Sequence, residues 1–355
     1  WKHSDGKGAK VAVGEIMHIF AFMKKIMFWI KNARDIALPQ SMLPCILAIG
    51  MSLSYETFSW WLALLSLIGV AAAHLGMNLA DDYFDYKVGS GEKRKEMAAD
   101  GMRARIHKYP YITSGEATVR DLAWAVVAFL AVAIALGAVV IVFRGFVPLY
   151  ILLAGGFLGI TYSGWPLRLS YRGYGELVIG LMFGPLLMTG VQYASCGVFD
   201  TRILIVSIAV GLLVTNIVYS HSVLDRAADA RMDKLTLARL LGSNTGMLAA
   251  SAVFNFVPFV LIVIGVCTGI LHPAYLSVLV LLPMAAYLWN SLRMFVYDRP
   301  VEIRIRPWMG PMGDFKAYKE YGIDWFMLRW LLARNLITFF AFILLIVNVA
   351  LKIIG

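Results

Sequence analysis

The sequence predicts an all-α polytopic membrane protein with about nine transmembrane helices, and three observations carry that prediction. Of the 355 residues, 60% are hydrophobic and only 15% are charged. A soluble domain averages about 45–50% apolar and about 25% charged, so a soluble fold would have nowhere to hide this excess. The mean hydropathy of +0.73 agrees. The apolar residues also gather in unbroken runs. Runs of roughly 20 residues suit spanning helices, whereas a lipid-facing barrel would need apolar and polar residues in alternation.

Taken in order, the spans fall at roughly 38–55, 59–80, 120–143, 146–163, 175–197, 202–222, 247–270, 273–294 and 331–353. Residues 1–36 precede them as a tail and an amphipathic helix. Val13 to Ile36 is apolar at helical spacing but carries Lys24, Lys25, Lys31 and Arg34. That pattern suits a helix lying in the membrane interface rather than a signal peptide. Residues 37–355 form a single transmembrane domain. With the N-terminus inside, 29 of the 32 Lys and Arg fall in cytoplasmic segments. The bias sets the orientation in the cell (inner) membrane and puts every long loop on the cytoplasmic face. The net charge of +10 then reflects basic loops facing anionic lipid, with no nucleic-acid partner implied. Three scattered cysteines offer neither a disulfide framework nor a metal-binding pair.

Two acidic motifs stand at the inner ends of spans 2 and 6. In the first, Asn78, Asp82 and Asp85 are spaced i, i+4, i+7 and share a helical face, with Asp81 at its edge. In the second, His221, Asp225, Asp229 and Asp233 recur every four residues. One such motif alone reads equally well as a solvated helix end. Two on the same membrane face point to a site, because carboxylates at membrane depth are costly and normally face a cavity. Clustered acids repel one another unless a hard cation joins them. Oxygen donors suit Mg²⁺, which completes its shell with water and substrate phosphates. The four-span interval suggests a duplicated bundle, helices 1–4 and 5–8 plus a ninth, with the site between the halves.

These residues resemble the UbiA superfamily of intramembrane prenyltransferases, and within it the 1,4-dihydroxy-2-naphthoate polyprenyltransferases of menaquinone synthesis. Four segments carry the resemblance: WIKNAR at 29–34 leading into Leu38-Pro39 and Leu43-Pro44; NLADDYFDYKVG at 78–89; TYSGWP at 161–166 with YRGYGE at 171–176; and KLTLA at 234–238. His221 and Ser222 stand where such sequences tend to carry asparagines, and Asp233 where they tend to carry glycine.

The resemblance implies a UbiA-like bundle with cytoplasmic loops over the site. It also implies transfer of a polyprenyl group from its diphosphate to an aromatic acceptor. That acceptor is expected to be 1,4-dihydroxy-2-naphthoate, prenylated with loss of CO₂. Asp82, Asp85, Asp225 and Asp229 are expected to hold Mg²⁺ against the leaving diphosphate. Asn78, His221, Lys87, Arg172 and Lys234 are candidate substrate contacts, with Asp81 and Asp233 beside them. Tyr162 is the candidate that shields the allylic cation with its ring, and Tyr83, Trp165 and Tyr171 lie near. Glu176 is expected to orient an acceptor hydroxyl or a loop cation. The same residues leave two alternatives open: another acceptor (4-hydroxybenzoate, homogentisate, a porphyrin or a lipid), or a transporter with acids along its path.

Overall fold

The computed structural model describes residues 5–87, 109–300 and 303–354, and these are almost entirely helical. The polar stretch at 89–111, after the first acidic motif, lies largely outside the described residues. The main helices are α1 (Asp5–Asn32), α2 (Pro39–Ser52), α3 (Trp60–Lys87), α4 (Val119–Arg144), α5 (Val147–Ser163), α6 (Gly175–Cys196), α7 (Thr201–Leu224), α8 (Asn244–Cys267), α9 (Pro273–Val296) and α10 (Asp324–Ile354). Among the described residues, seven of them are long and apolar enough to cross a membrane: α3, α4 and α6 to α10. The chain is therefore a multi-pass membrane protein.

The two other expected spans are shorter. Helix α5 has 17 residues and α2 has 14. At about 1.5 Å per residue, 14 residues cover only about 21 Å, short of the hydrocarbon core. Pro39 sets the start of α2, and the chain turns away after Ser52.

Local chemistry explains where the helices begin. Helix α4 opens with a reciprocal cap: Thr118 Oγ1 accepts from the Asp121 amide (3.1 Å), and Asp121 Oδ2 accepts from the Thr118 amide (3.0 Å). Ser243 caps α8 by accepting from the Gly246 amide at 3.0 Å. Helix α6 carries Pro185 inside a wider π-turn over Met182–Leu186, which absorbs the missing amide.

Helix α7 is the central post. Its neighbours in the main apolar cluster come from α2, α8, α9 and α10. Its approach to α6 is so close that a Cβ on Gly184 would lie 2.5 Å from the Gly211 Cα. Only glycine permits that backbone contact. A second cluster packs Trp29, at the end of α1, and Ala33, just after it, against Leu75 and Leu79 of α3 and Leu122 and Ala125 of α4. Earlier in α1, Met17, Phe20, Met23 and Met27 are exposed.

The segment at 299–321, between α9 and α10, is folded onto α10 where it is described. The Asn335 amide donates to the carbonyls of Met309 (2.8 Å) and Pro311 (2.9 Å).

Candidate active site

A cavity of about 1020 Å³ runs into the bundle between α3, α4, α5, α6 and α7. Its inner walls are apolar, with Leu130, Ile151, Leu152, Met182 and Phe183 among them. Gly155 and Gly156 line it with nothing within 4 Å of where a Cβ would be, so they keep a groove open. Its mouth gathers Arg34, Asp81, Asp82, Asp85, His221, Asp225, Asp229 and Lys234. Both acidic motifs therefore open onto one cavity.

The acids are buried: Asp82, Asp85 and Asp229 are each 3% exposed and Asp225 is 6%. Buried charge at this depth requires partners. In the first motif they come from four separate segments. The Arg34 guanidinium reaches Asp81 Oδ2 at 3.0 Å and also bonds Asp82 Oδ1. Tyr111 donates its hydroxyl to Asp82 Oδ2 at 3.1 Å, Ser163 to Asp81 Oδ1 at 2.6 Å, and Tyr171 to Asp85 Oδ1 at 2.7 Å. Asn78 donates to the Ala33 carbonyl at 2.9 Å and so ties α3 to the segment that carries Arg34.

Arg34 itself sits at φ 64°, ψ 56°, a left-handed conformation that costs a non-glycine residue about 1–3 kcal/mol. Burial works against its charge, but the Asp82 and Asp81 carboxylates overcome that and hold its pKa above the ordinary value. Burial, reinforced by the Asp82 charge, raises the Tyr111 hydroxyl, which stays a donor.

The second motif is built around a helix end. Helix α7 stops at Leu224, yet the amide of Asp225 still donates to His221 O (2.9 Å) and that of Asp229 to Asp225 O (2.8 Å). His221, Asp225 and Asp229 therefore keep one face across the break. The His221 ring lies 3.7 Å from Asp225. Asp233 does not follow. It takes a left-handed φ of 52°, while the Lys234 amide bonds Asp229 O at 3.0 Å and the Asp233 amide bonds Ala230 O at 3.3 Å. This is a Schellman cap, whose left-handed residue is usually glycine and sometimes a short polar side chain. Asp233 is exposed and is not among the cavity-lining residues, so the expectation that it joins the acids is corrected.

Two expected cations are also displaced. Lys87 is exposed, with its ammonium 4.8 Å from the Tyr83 ring, and lies off the cavity. It follows Asp85 by two residues, and two helical steps turn a side chain about 200° away. Arg172 is exposed and donates to Pro166 O at 3.2 Å. Its neighbour Tyr171 takes the inward position at the end of the 3-10 turn Leu169–Tyr171. Lys234 does reach the cavity, 5.9 Å from the Tyr171 ring, and Tyr162 lines it too. Trp165 is exposed and stands outside.

Glu176 has a different role from the one expected. It is 2% exposed and absent from the cavity wall; its Oε1 accepts from Ser222 Oγ (2.6 Å) and from the Leu237 amide (3.1 Å). It braces the start of α6 to the end of α7 and to the loop beyond the second motif. Sequence reasoning missed three partners of the acids: Arg34, Tyr111 and Ser163. Arg34 had a signal, a lone Arg ending the WIKNAR run. Tyr111 and Ser163 had none, because only folding brings them to α3.

Among the described residues, no group of three or more His, Cys, Asp or Glu side chains converges to hold an ion unaided. The donor set nonetheless fits Mg²⁺. Its oxygens are hard, a few come from each of two motifs, and Mg²⁺ takes few carboxylates when substrate phosphates supply the rest.

A model of the UbiA prenyltransferase family matches residues 41–309. A 1,4-dihydroxy-2-naphthoate octaprenyltransferase of Mycobacterium tuberculosis is 29% identical over 238 residues, 64% of this chain and 77% of that protein. A Haemophilus influenzae protein of the same name is 24% identical over 81% of this chain and 92% of its own length. A 2-carboxy-1,4-naphthoquinone phytyltransferase of Synechocystis is 25% identical over 72% of this chain and 80% of its own. Among solved structures, a UbiA homolog from Archaeoglobus fulgidus bound to GPP and Mg²⁺ superposes with a TM-score of 0.55 at 14% identity. It covers 87% of this chain and 99% of its own, and the likeness is one of fold.

Proposed function

The chain belongs to the UbiA prenyltransferase family, and from that premise we propose that it transfers a polyprenyl group from its diphosphate to 1,4-dihydroxy-2-naphthoate. The reaction is Mg²⁺-dependent and releases CO₂ to leave a demethylmenaquinol. The observation that carries the reading is the cavity itself: buried acids from two helix ends at its mouth, and apolar walls behind them. A donor with a charged head and a long hydrocarbon tail has the same polarity profile. Relatives named for naphthoate or naphthoquinone substrates support the acceptor.

Asp82, Asp85, Asp225 and Asp229 would hold the metal. When bound, Mg²⁺ supplies Lewis-acid stabilisation of the charge that develops on the departing diphosphate. The chain's own residues do the rest. Arg34 and Lys234 offer cationic donors at the mouth, and Arg suits bidentate contact with phosphate oxygens. Asn78 fixes the Arg34 segment against α3. Tyr162 and Tyr171 line the cavity, where an aromatic ring can stabilise positive charge on the allyl fragment without acting as a nucleophile. The apolar walls exclude water, which would otherwise capture that cation. We place the mouth on the cytoplasmic side of the cell membrane, where 29 of the 32 Lys and Arg lie.

The test is a product assay on purified protein in lipid. It combines a polyprenyl diphosphate and Mg²⁺ with either 1,4-dihydroxy-2-naphthoate or 4-hydroxybenzoate, reads products by mass spectrometry and includes an EDTA control. A prenylated, decarboxylated naphthoquinol formed only with metal is the expected result. Prenylated 4-hydroxybenzoate alone would overturn the acceptor and keep the reaction class.

A further inference from the structure

The family reading leaves one chemical task unassigned. An aromatic ring attacks an allylic carbon well only when its hydroxyl gives up a proton, and the acids at the cavity mouth are already engaged. Deeper in the cavity, α3 carries a second polar position on the same face. His74 lies four residues before Asn78 and lines the cavity wall. At 1.5 Å per residue it sits about 6 Å below Asn78 and about 12 Å below Asp82 along the helix. An aromatic acceptor between the diphosphate and His74 would occupy that interval.

Two hydrogen bonds place Ser41 beside His74: Ser41 Oγ lies 2.6 Å from His74 Nδ1 and 3.1 Å from the Leu38 carbonyl. Ser41 has one hydroxyl proton, so when it goes to the Leu38 carbonyl, Nδ1 donates to Ser41 and Nε2 keeps a free lone pair. Among the described residues Nε2 has no protein hydrogen-bond partner, and it is not among the sealed, unsatisfied buried atoms. The ring is otherwise enclosed, 9% exposed and 5.0 Å from the Phe183 ring. The ring is thus held by packing and by its Nδ1 contact with Ser41, and Nε2 is the ring nitrogen left for a cavity occupant.

We propose that His74 is the general base for the aromatic acceptor, acting in the tautomer that carries its proton on Nδ1 and positioned there by Ser41. The inference rests on the naphthoate reading above. The allylic C–O bond breaks with its electron pair leaving on diphosphate, and the ring carbon bearing the carboxylate bonds to the allylic carbon. The proton of the adjacent phenolic hydroxyl passes to His74 Nε2, and the ring becomes a β-keto carboxylate. Loss of CO₂ leaves an enolate, which takes the same proton back from His74. The imidazole ends neutral and no other reactant is required.

The experiment uses the full chain with His74→Ala, His74→Gln and Ser41→Ala. Three quantities are read: prenyl transfer, acceptor-free hydrolysis of the prenyl diphosphate, and binding of 1-hydroxy-2-naphthoate without donor. His74→Ala is expected to lower kcat for transfer by about 10²–10⁴-fold, the usual range for a lost general base. It leaves the KM for the prenyl diphosphate and its hydrolysis unchanged, and added imidazole restores transfer. His74→Gln behaves alike without the rescue. Ser41→Ala costs about tenfold, the equivalent of one neutral hydrogen bond.

Full transfer activity in His74→Ala overturns the assignment. So does a parallel loss of transfer and hydrolysis, which would mark the ring as packing against Phe183. If the wild-type chain binds the hydroxynaphthoate through His74 but never prenylates a naphthoate, the contact stands and the naphthoate reaction falls. A wild-type chain that neither binds nor transfers overturns both.

Discussion

The two acidic motifs look alike in sequence and are built differently. The acids of α3 lie within a regular helix, and side chains from four other segments reach across to them: Arg34, Tyr111, Ser163 and Tyr171. The acids after α7 straddle a helix end, and backbone geometry positions them. The ladder from His221 to Asp225 to Asp229 survives the break, a left-handed cap at Asp233 turns the chain, and Glu176 clamps the neighbouring segment. The first half of the site is thus neutralised by partners from distant sequence, while the second is shaped by how one helix stops. One short loop joins them. Tyr171 bonds Asp85 of the first motif, while Arg172 pairs through its backbone with Leu235, one residue past Lys234 of the second.

This contrast yields measurable differences. The largest effect is expected where the motifs act alike. Asp82→Ala and Asp229→Ala should each lower single-turnover prenyl transfer by about 10³-fold or more while the protein still folds. If only one does so, the two motifs are not halves of one site. Arg34→Ala should come next. It removes the charge shared by Asp81 and Asp82, with about 10²-fold lost in kcat/KM for the prenyl diphosphate. Arg34→Lys should recover only part of this, because the forked contact is gone.

Glu176→Ala tests the backbone-built half. It leaves Ser222 and the Leu237 amide without their buried acceptor, at about 1–3 kcal/mol, read as a lower Tm in lipid or detergent. Activity should fall with stability, and Glu176→Gln should restore much of both. The smallest effect belongs to Asp233→Gly. Relieving a left-handed non-glycine residue should raise stability by up to about 1 kcal/mol with transfer unchanged. A large loss of activity there would return Asp233 to the site and sink its reading as a cap.

How much of this was legible in advance follows from the range over which each feature is decided. Apolar runs and caps such as Thr118–Asp121 are local, so the helices could be read from the chain, as could the grouping of Asn78, Asp82 and Asp85 on one face. Local periodicity failed where a helix ended. It carried Asp233 onto the acidic face because it could not know that the chain would turn at that residue. It also counted Lys87 as a contact by nearness in sequence, although its direction on the helix points away.

The sequence by itself determined that the protein lives in a membrane, which helix ends carry acids, and which residue types meet there, because hydropathy and helical spacing are properties of neighbours along the chain. Only the tertiary structure decided which cations and hydroxyls neutralise those acids, that Glu176 braces rather than binds, and that Ser41 holds His74 at the cavity wall. Those contacts join residues as far apart as Ser163 and Asp81 or Tyr171 and Asp85. Their geometry depends on how α3, α5, α6 and α7 pack, and no one segment encodes that packing alone.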